Sequence, residues 1–233
     1  MFPNKLKPSD EIRVIAPSGS LSRVRKDILE HALSYLESQG FKISFSKNSR
    51  EMNEFMSSEI KSRVDDIHDA FADENVKMIF TCIGGFNVNQ ILPYLDYELI
   101  KANPKIIGGN LCTLNLLQGT PFMPDLKDKV LFIEDDNIMG NYFVYEFDRN
   151  LQSLLQVCGA ESVKGIVFGR FNESCKLDKD MITKIIKDKV APDIPVVFGV
   201  DFGHVFPMIT YPIGGTVRIE ATGSKVDIQI LKH

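Results

Sequence analysis

Strand-like apolar runs alternate with amphipathic stretches of helical spacing through the first hundred residues, and this alternation constrains the fold more than any other feature. Glu11-Ile12-Arg13-Val14-Ile15-Ala16 reads as a strand closed by Pro17-Ser18-Gly19-Ser20. Residues 22–39 then place Val24, Ile28, Leu29, Ala32, Leu33 and Leu36 at helical spacing, with Gly40 as a stop. Phe41–Phe45 alternates as a strand, and about Ser58 to Asp73 reads as a helix with Ile60, Val64, Ile67 and Phe71 on one face. Val76–Cys82 is a third strand, running into Gly84-Gly85. Strands separated by whole helices pair in parallel through right-handed crossovers rather than as hairpins.

The second half begins in the same way. Val130–Glu134, Val163–Gly169 and Ile194–Phe198 read as strands, with helices over 142–157 and 178–190. From Met208 onward the pattern predicts only strands, at 208–212, 216–221 and 225–231, split by Gly214-Gly215 and Gly223-Ser224. Successive strands with tight turns point to an antiparallel or barrel-like sheet. The expected class is α/β in two lobes, with the boundary near residues 103–110.

Composition narrows the function classes. With 27 Lys+Arg against 31 Asp+Glu among 233 residues, the net charge of −4 carries no basic footprint for nucleic acid or an anionic membrane. No apolar run is long enough to span a bilayer, and the N-terminus lacks the apolar core of a secretory signal, so the expected location is the cytoplasm. Cys82, Cys112, Cys158 and Cys175 lack CxxC spacing and read as buried thiols in a reducing compartment. No H-E-x-x-H, paired His or Cys/His cluster is present, so no metal is expected, and the absence of GxGxxG and Walker patterns leaves a nucleotide cofactor unsupported.

In open parallel sheets the ligand crevice lies beyond the carboxyl ends of the strands. Pro17-Ser18-Gly19-Ser20 and Gly84-Gly85-Phe86-Asn87 both follow such strands. Gly85 permits close backbone approach to a ligand, and Pro17-Ser18-Gly19-Ser20 could serve a flavodoxin-like nucleotide or phosphate binder. Equally, Ser20 and Ser22 fit helix N-caps, and the glycine pair fits a tight turn. Of the four histidines, His31 and His68 fall on charged helix faces and His233 is terminal. His204 lies in the glycine-marked Asp201-Phe202-Gly203-His204-Val205 loop after an apolar strand, a position that suits a general base. Glu134 closes the run Val130–Ile133 and could orient a histidine, or could begin an acidic surface loop with Asp135-Asp136. No G-x-S-x-G elbow occurs.

Several strings together resemble the LD-carboxypeptidase family. They are Phe55-Met56-Ser57-Ser58, Arg63-Val64-Asp65-Asp66-Ile67, Ala70-Phe71-Ala72-Asp73, Gly84-Gly85-Phe86-Asn87, Leu92–Tyr97 and Asn103-Pro104-Lys105-Ile106. In the second half they are Gly108-Gly109-Asn110-Leu111, Gly119-Thr120-Pro121, Leu131–Asp135 and Phe202-Gly203-His204. The order matches over nearly the whole chain, and the branch is similar to the microcin C self-immunity peptidases. The resemblance implies a homodimeric serine peptidase with a Ser–Glu–His triad and no metal or cofactor. It would hydrolyse an amide beside a C-terminal group, in a murein L,D-tetrapeptide or a peptidyl-nucleotide. It implies a flavodoxin-like parallel-sheet lobe over 1–106 and a β-rich, barrel-like α/β lobe over 107–233. Glu134 carries over as the triad acid, His204 as the base, and Gly84 and Gly85 as the turn whose N–H groups help hold the oxyanion.

One departure stands out. In the family, the Asn-Pro-Lys-Ile string leads into an elbow bearing the nucleophilic serine. Here Asn103-Pro104-Lys105-Ile106 runs directly into Ile107-Gly108-Gly109-Asn110, which in the family belongs to the second lobe. The expectation is an internal excision of the elbow. No nucleophile is identifiable, because Ser18, Ser57 and Ser58 do not match its position. A binding module that keeps the cleft without turnover is the alternative reading.

Overall fold

The computed structural model describes residues 6–99, 107–187, 189–222 and 225–232. They fall into two compact units, within Phe2–Lys101 and within Ala102–His233. The first unit runs β1 (Glu11–Ile15), α1 (Lys26–Ser38), β2 (Lys42–Phe45), α2 (Ile60–Ala72) and β3 (Val76–Thr81). Its strands form a parallel sheet in the order β2-β1-β3, as the alternation of elements requires. β1 is central and buries Ile12, Val14 and Ile15, while α2 packs Val64, Ile67 and Ala70 against Ile15 and Ile91.

Three local expectations change. The stretch read as one helix over 22–39 breaks at Val24 and Arg25, which are extended, because Ser20 caps a separate short turn over Leu21–Arg23 through the Ser22 N–H. α1 buries no residue and leaves Ile28 and Tyr35 exposed, and Phe71, placed by spacing on the apolar face of α2, is also exposed. Among the described strands β3 is a sheet edge, with Phe80 exposed near its end.

The second unit contains β4 (Ile107–Asn110), α3 (Leu111–Asn115), β5 (Val130–Glu134), α4 (Phe143–Leu155), β6 (Gly165–Gly169), α5 (Lys179–Lys187), β7 (Val196–Val200), β8 (Thr216–Thr222) and β9 (Lys225–Lys232). β4-β5-β6-β7 form a wholly parallel sheet, and β8-β9 form a separate antiparallel ribbon. The α/β class with parallel-sheet lobes therefore holds. The described strands of the second unit make an open sheet plus a ribbon rather than a closed wall. The expected strand at 208–212 is irregular: Pro207 and Pro212 bracket it without N–H donors, and the Ile209 N–H turns back to the Asp201 carbonyl at 2.6 Å.

Alternation along the buried strands sorts side chains between two faces. Leu131, Ile133, Ile166 and Phe168 face a core built with Phe143, Phe147, Leu151 and Leu154 of α4 and Ile182 and Ile185 of α5. Phe132, Val167 and Val197 face the other way, toward Phe202, Tyr211 and the ribbon residues Val217, Ile219 and Ile228. Glu134 shares the Phe132 side of β5. The cysteines are all free, but only Cys175 is buried; Cys82 and Cys112 are half-buried and Cys158 is exposed. No helix among the described residues is long and apolar enough to cross a membrane.

Candidate active site

Two of the residues singled out by sequence meet in the second unit. Parallel pairing of β5 with β6 brings Glu134, the last residue of β5, beside the end of β6 at Gly169, and β6–β7 pairing sets Gly169 against Val200 at the mouth of the His204 loop. Seventy residues apart in sequence, His204 Nδ1 and Glu134 Oε2 lie 2.6 Å from each other. The Glu134 side chain is 10% exposed and the His204 side chain 51%, so a buried carboxylate holds a ring whose other side is open. An ionised carboxylate only accepts hydrogen bonds, so the Nδ1–H donates and Nε2 is left as the acceptor nitrogen. That bond to Glu134 raises the imidazole pKa, with the charges of Glu134, Asp136 and Asp135 adding to it, against partial burial. Among the described residues, this is the one hydrogen bond His204 makes.

Small residues make the approach possible. A Cβ on Gly203, whose φ is +104°, would lie 2.9 Å from Glu134 Cβ and 3.0 Å from Oε2. A Cβ on Gly169 would meet the Phe202 carbonyl at 2.5 Å and Glu134 Cβ at 3.1 Å. Beneath the pair, Phe132, Phe202 and Tyr211 form a ring cluster, with centroid separations of 5.6 Å (Phe132–Phe202), 4.8 Å (Phe132–Tyr211) and 5.1 Å (Phe202–Tyr211). Phe132 precedes Glu134 by two residues and Phe202 precedes His204 by two, so the cluster ties together the segments that carry Glu134 and His204. Burial, with the Glu134 charge adding, pushes the Tyr211 phenol up to about 12. Periodicity gave no sign of Tyr211, because it lies in an irregular segment.

Gly84 and Gly85 lie in the first unit. The Gly84 carbonyl accepts the Gly19 N–H at 3.3 Å, and a Cβ on Gly85 would collide with Ser18 Oγ, so the glycine turn is laced to the loop after β1. The Ser18 hydroxyl bonds Asn87 Oδ1 at 2.8 Å. Ser57 Oγ donates to the Ser18 carbonyl. Arg63, 2% exposed, reaches the Asn87 carbonyl at 3.1 Å, the Pro17 carbonyl at 3.3 Å and Gln90 Oε1 at 2.8 Å. The serines at 18 and 57 are thus engaged in scaffolding, and Arg63 is a buried staple that helical spacing alone did not reveal. His68 was expected on a solvated face; it is half-buried and accepts the Asp96 N–H at 2.9 Å, while His31 is exposed. Asn103–Ile106 and His233 lie outside the described residues. Among the described residues no three His, Cys, Asp or Glu side chains converge as metal ligands would.

Known proteins resemble the chain in sequence and fold. The LD-carboxypeptidase N-terminal domain model matches residues 12–110 and the C-terminal domain model residues 103–219. YocD of Bacillus subtilis (strain 168), a carboxypeptidase by name, is 32% identical over an alignment of 328 positions that covers 100% of both chains. An MccF-like protein from Bacillus anthracis superposes with a TM-score of 0.94 at 33% identity, covering 100% of each chain. The microcin C7 self-immunity protein MccF in complex with aspartyl sulfamoyl adenosine gives a TM-score of 0.77 at 19% identity over 92% of this chain and 94% of that one, a likeness of fold. With both domain models matched in order and a relative of this identity covered end to end, the chain belongs to the LD-carboxypeptidase family.

Proposed function

We propose that this chain keeps the acid and base of a Ser–Glu–His peptidase triad, Glu134 and His204, but lacks the serine, so that it binds the family's ligand with turnover impaired or lost. The observation that carries this reading is the 2.6 Å contact between Glu134 Oε2 and His204 Nδ1, with no hydroxyl or thiol among the described residues bonded to His204. In a complete triad, Nε2 takes the proton of the attacking serine and later returns it to the leaving amine, while the acid fixes the tautomer and stabilises the imidazolium. Without the nucleophile, rates fall by up to about a million-fold, leaving binding and oxyanion effects. The YocD alignment runs over 328 positions, 95 more than this chain's 233 residues, so the relative carries residues that this chain lacks, and this reading puts the gap at the Ile106–Ile107 junction. The placement of Ile107–Asn110 in the second sheet fits a chain that passes straight from the first lobe to the second.

The ligand in this reading is a murein L,D-tetrapeptide, in line with the family description, or a peptidyl-nucleotide, in line with the sulfamoyl adenosine held by MccF. In this reading Gly84 and Gly85 keep the role the resemblance gives them, a glycine turn whose N–H groups help hold the oxyanion. On the same reading the protein is a homodimer without metal or cofactor, as its family resemblance implies; free cysteines suit the cytoplasm, and the net charge of −4 favours neither nucleic acid nor an anionic membrane as partner.

The test is incubation of purified chain with a murein L,D-tetrapeptide and with aspartyl sulfamoyl adenosine. Mass spectrometry reads cleavage, calorimetry reads binding and a fluorophosphonate probe reports an activated serine. The expected result is saturable binding of one ligand with neither cleavage nor labelling. Hydrolysis abolished by His204→Ala, with a labelled serine, would overturn the loss of the nucleophile. Absence of both binding and cleavage would overturn the binding role.

A further inference from the structure

The loop bearing His204 leaves β7 at Val200 and has no regular structure up to β8. Phe202 anchors its start at 2% exposed, but the stretch around the histidine is open, with Phe206 81% exposed and the His204 side chain 51%. An exposed stretch opens easily unless something ties it down, yet its histidine is seated on Glu134 at 2.6 Å. Arg170, the first residue after β6, supplies three ties. Its Nε lies 2.9 Å from Asp201 Oδ1, its Nη2 donates to the Pro207 carbonyl at 2.7 Å, and its backbone N–H donates to the Phe202 carbonyl at 3.3 Å. Asp201 stands three residues before His204 and Pro207 three after, so one guanidinium grips the loop symmetrically about the histidine.

We infer that Arg170 is a positioning residue: by fixing both sides of the loop, it holds the His204 imidazole on Glu134. The inference rests on the reading of Glu134 and His204 as acid and base, but its test needs no turnover. The guanidinium carries both ties on one rigid plane, Nη2 in a hydrogen bond to the Pro207 carbonyl and Nε in an ion-pair contact with Asp201 that is not aligned as a hydrogen bond. A lysine offers one flexible point charge and keeps the Asp201 contact at most.

The direction of the effect separates positioning from charge. The carboxylates of Glu134, Asp136 and Asp135 all favour the imidazolium. Removing the Arg170 charge leaves Asp201 unneutralised, which acts through space to raise the His204 titration further. Loosening the contact with Glu134 acts the other way and lowers it.

The experiment is a two-dimensional ¹H–¹³C titration of the histidine ring signals in the full chain, with His204 assigned from His204→Gln. Arg170→Gln is expected to move the His204 midpoint down toward that of an unpartnered imidazole while the other histidine midpoints stay in place. Arg170→Lys should fall between that and the wild type. In a Glu134→Gln background, adding Arg170→Gln should lower the midpoint no further, because the contact through which Arg170 acts is already gone. An unchanged or raised midpoint in Arg170→Gln would overturn the inference, as would an undiminished fall in the Glu134→Gln background. If Arg170→Gln does not fold, Arg170→Lys decides by the same direction. A fall in the midpoint together with failed ligand binding would leave Arg170's role standing while the peptidase-derived reading fails.

Discussion

Replacing Gly203 with alanine tests how tightly the histidine loop sits on the acid. Gly203 has φ +104°, and an added Cβ would stand 2.9 Å from Glu134 Cβ, 3.0 Å from Oε2 and 3.2 Å from Cγ. Glu134 is 10% exposed and bonded to His204, so it has little freedom to move away. A side chain in the left-handed region costs about 1–2 kcal/mol, and overpacking a filled site costs about 1–3 kcal/mol more. Gly203→Ala should therefore lose about 2–5 kcal/mol. Gly199 provides the control, because it also has positive φ (+73°) but a Cβ there meets nothing within 4 Å. Gly199→Ala should lose only the backbone part, about 1–2 kcal/mol. Urea unfolding of both variants, compared at equal m-values, measures the difference. Equal losses in the two variants would refute the reasoning, since they would mean that the loop has room over Glu134.

Arg63→Met removes a buried staple and leaves the Pro17 carbonyl and Gln90 Oε1 without the donor Arg63 supplies, while the Asn87 carbonyl keeps the Gln90 N–H; it should destabilise the first unit by about 2–4 kcal/mol and speed amide exchange over 84–90 while leaving 130–134 protected. Unchanged exchange would show that the glycine turn is held by other contacts. The His204 pair should also make stability depend on pH. Its folded pKa is raised above the unfolded value of about 6.5, so its contribution is complete below that pH and disappears as pH rises through the folded pKa. The excess of wild-type urea midpoint over that of His204→Gln should accordingly be largest in mild acid and shrink toward alkaline pH. A constant excess would contradict the coupling.

The helical and strand periods made most of the fold legible, because they report burial directly. The β1–α1–β2–α2–β3 order and the strands ending at Glu134 and Gly169 follow from them. The same signal misled where burial is missing: α1 has the apolar spacing of a packed helix but buries nothing, and Phe71 fits a face it does not occupy. At 208–212 the two flanking prolines outweighed strand-like composition. Glu134 and His204 could be nominated singly from their places at strand ends. Their pairing depends on which strands become neighbours, a long-range property no local window contains. Arg170 and Tyr211 act through tertiary contacts alone, although Arg170's place directly after an apolar strand was a usable hint.

The supports of the Glu134–His204 pair all belong to one frame. Glu134 is set by the β5–β6 pairing and enclosed by Gly169 and Gly203; the His204 loop is delivered by β7, tied by Arg170 and underpinned by Phe132, Phe202 and Tyr211. Every one of these contacts lies within Ala102–His233. A triad divides naturally at this point, because the nucleophile needs only to meet Nε2, whereas acid and base must be built together on one rigid frame. On the proposed reading, absence of a serine-bearing segment would therefore leave in place every contact that holds the pair. The pair belongs to the β5–β6–β7 frame, so substitutions at Gly169, Arg170 or Gly203 should disturb it directly.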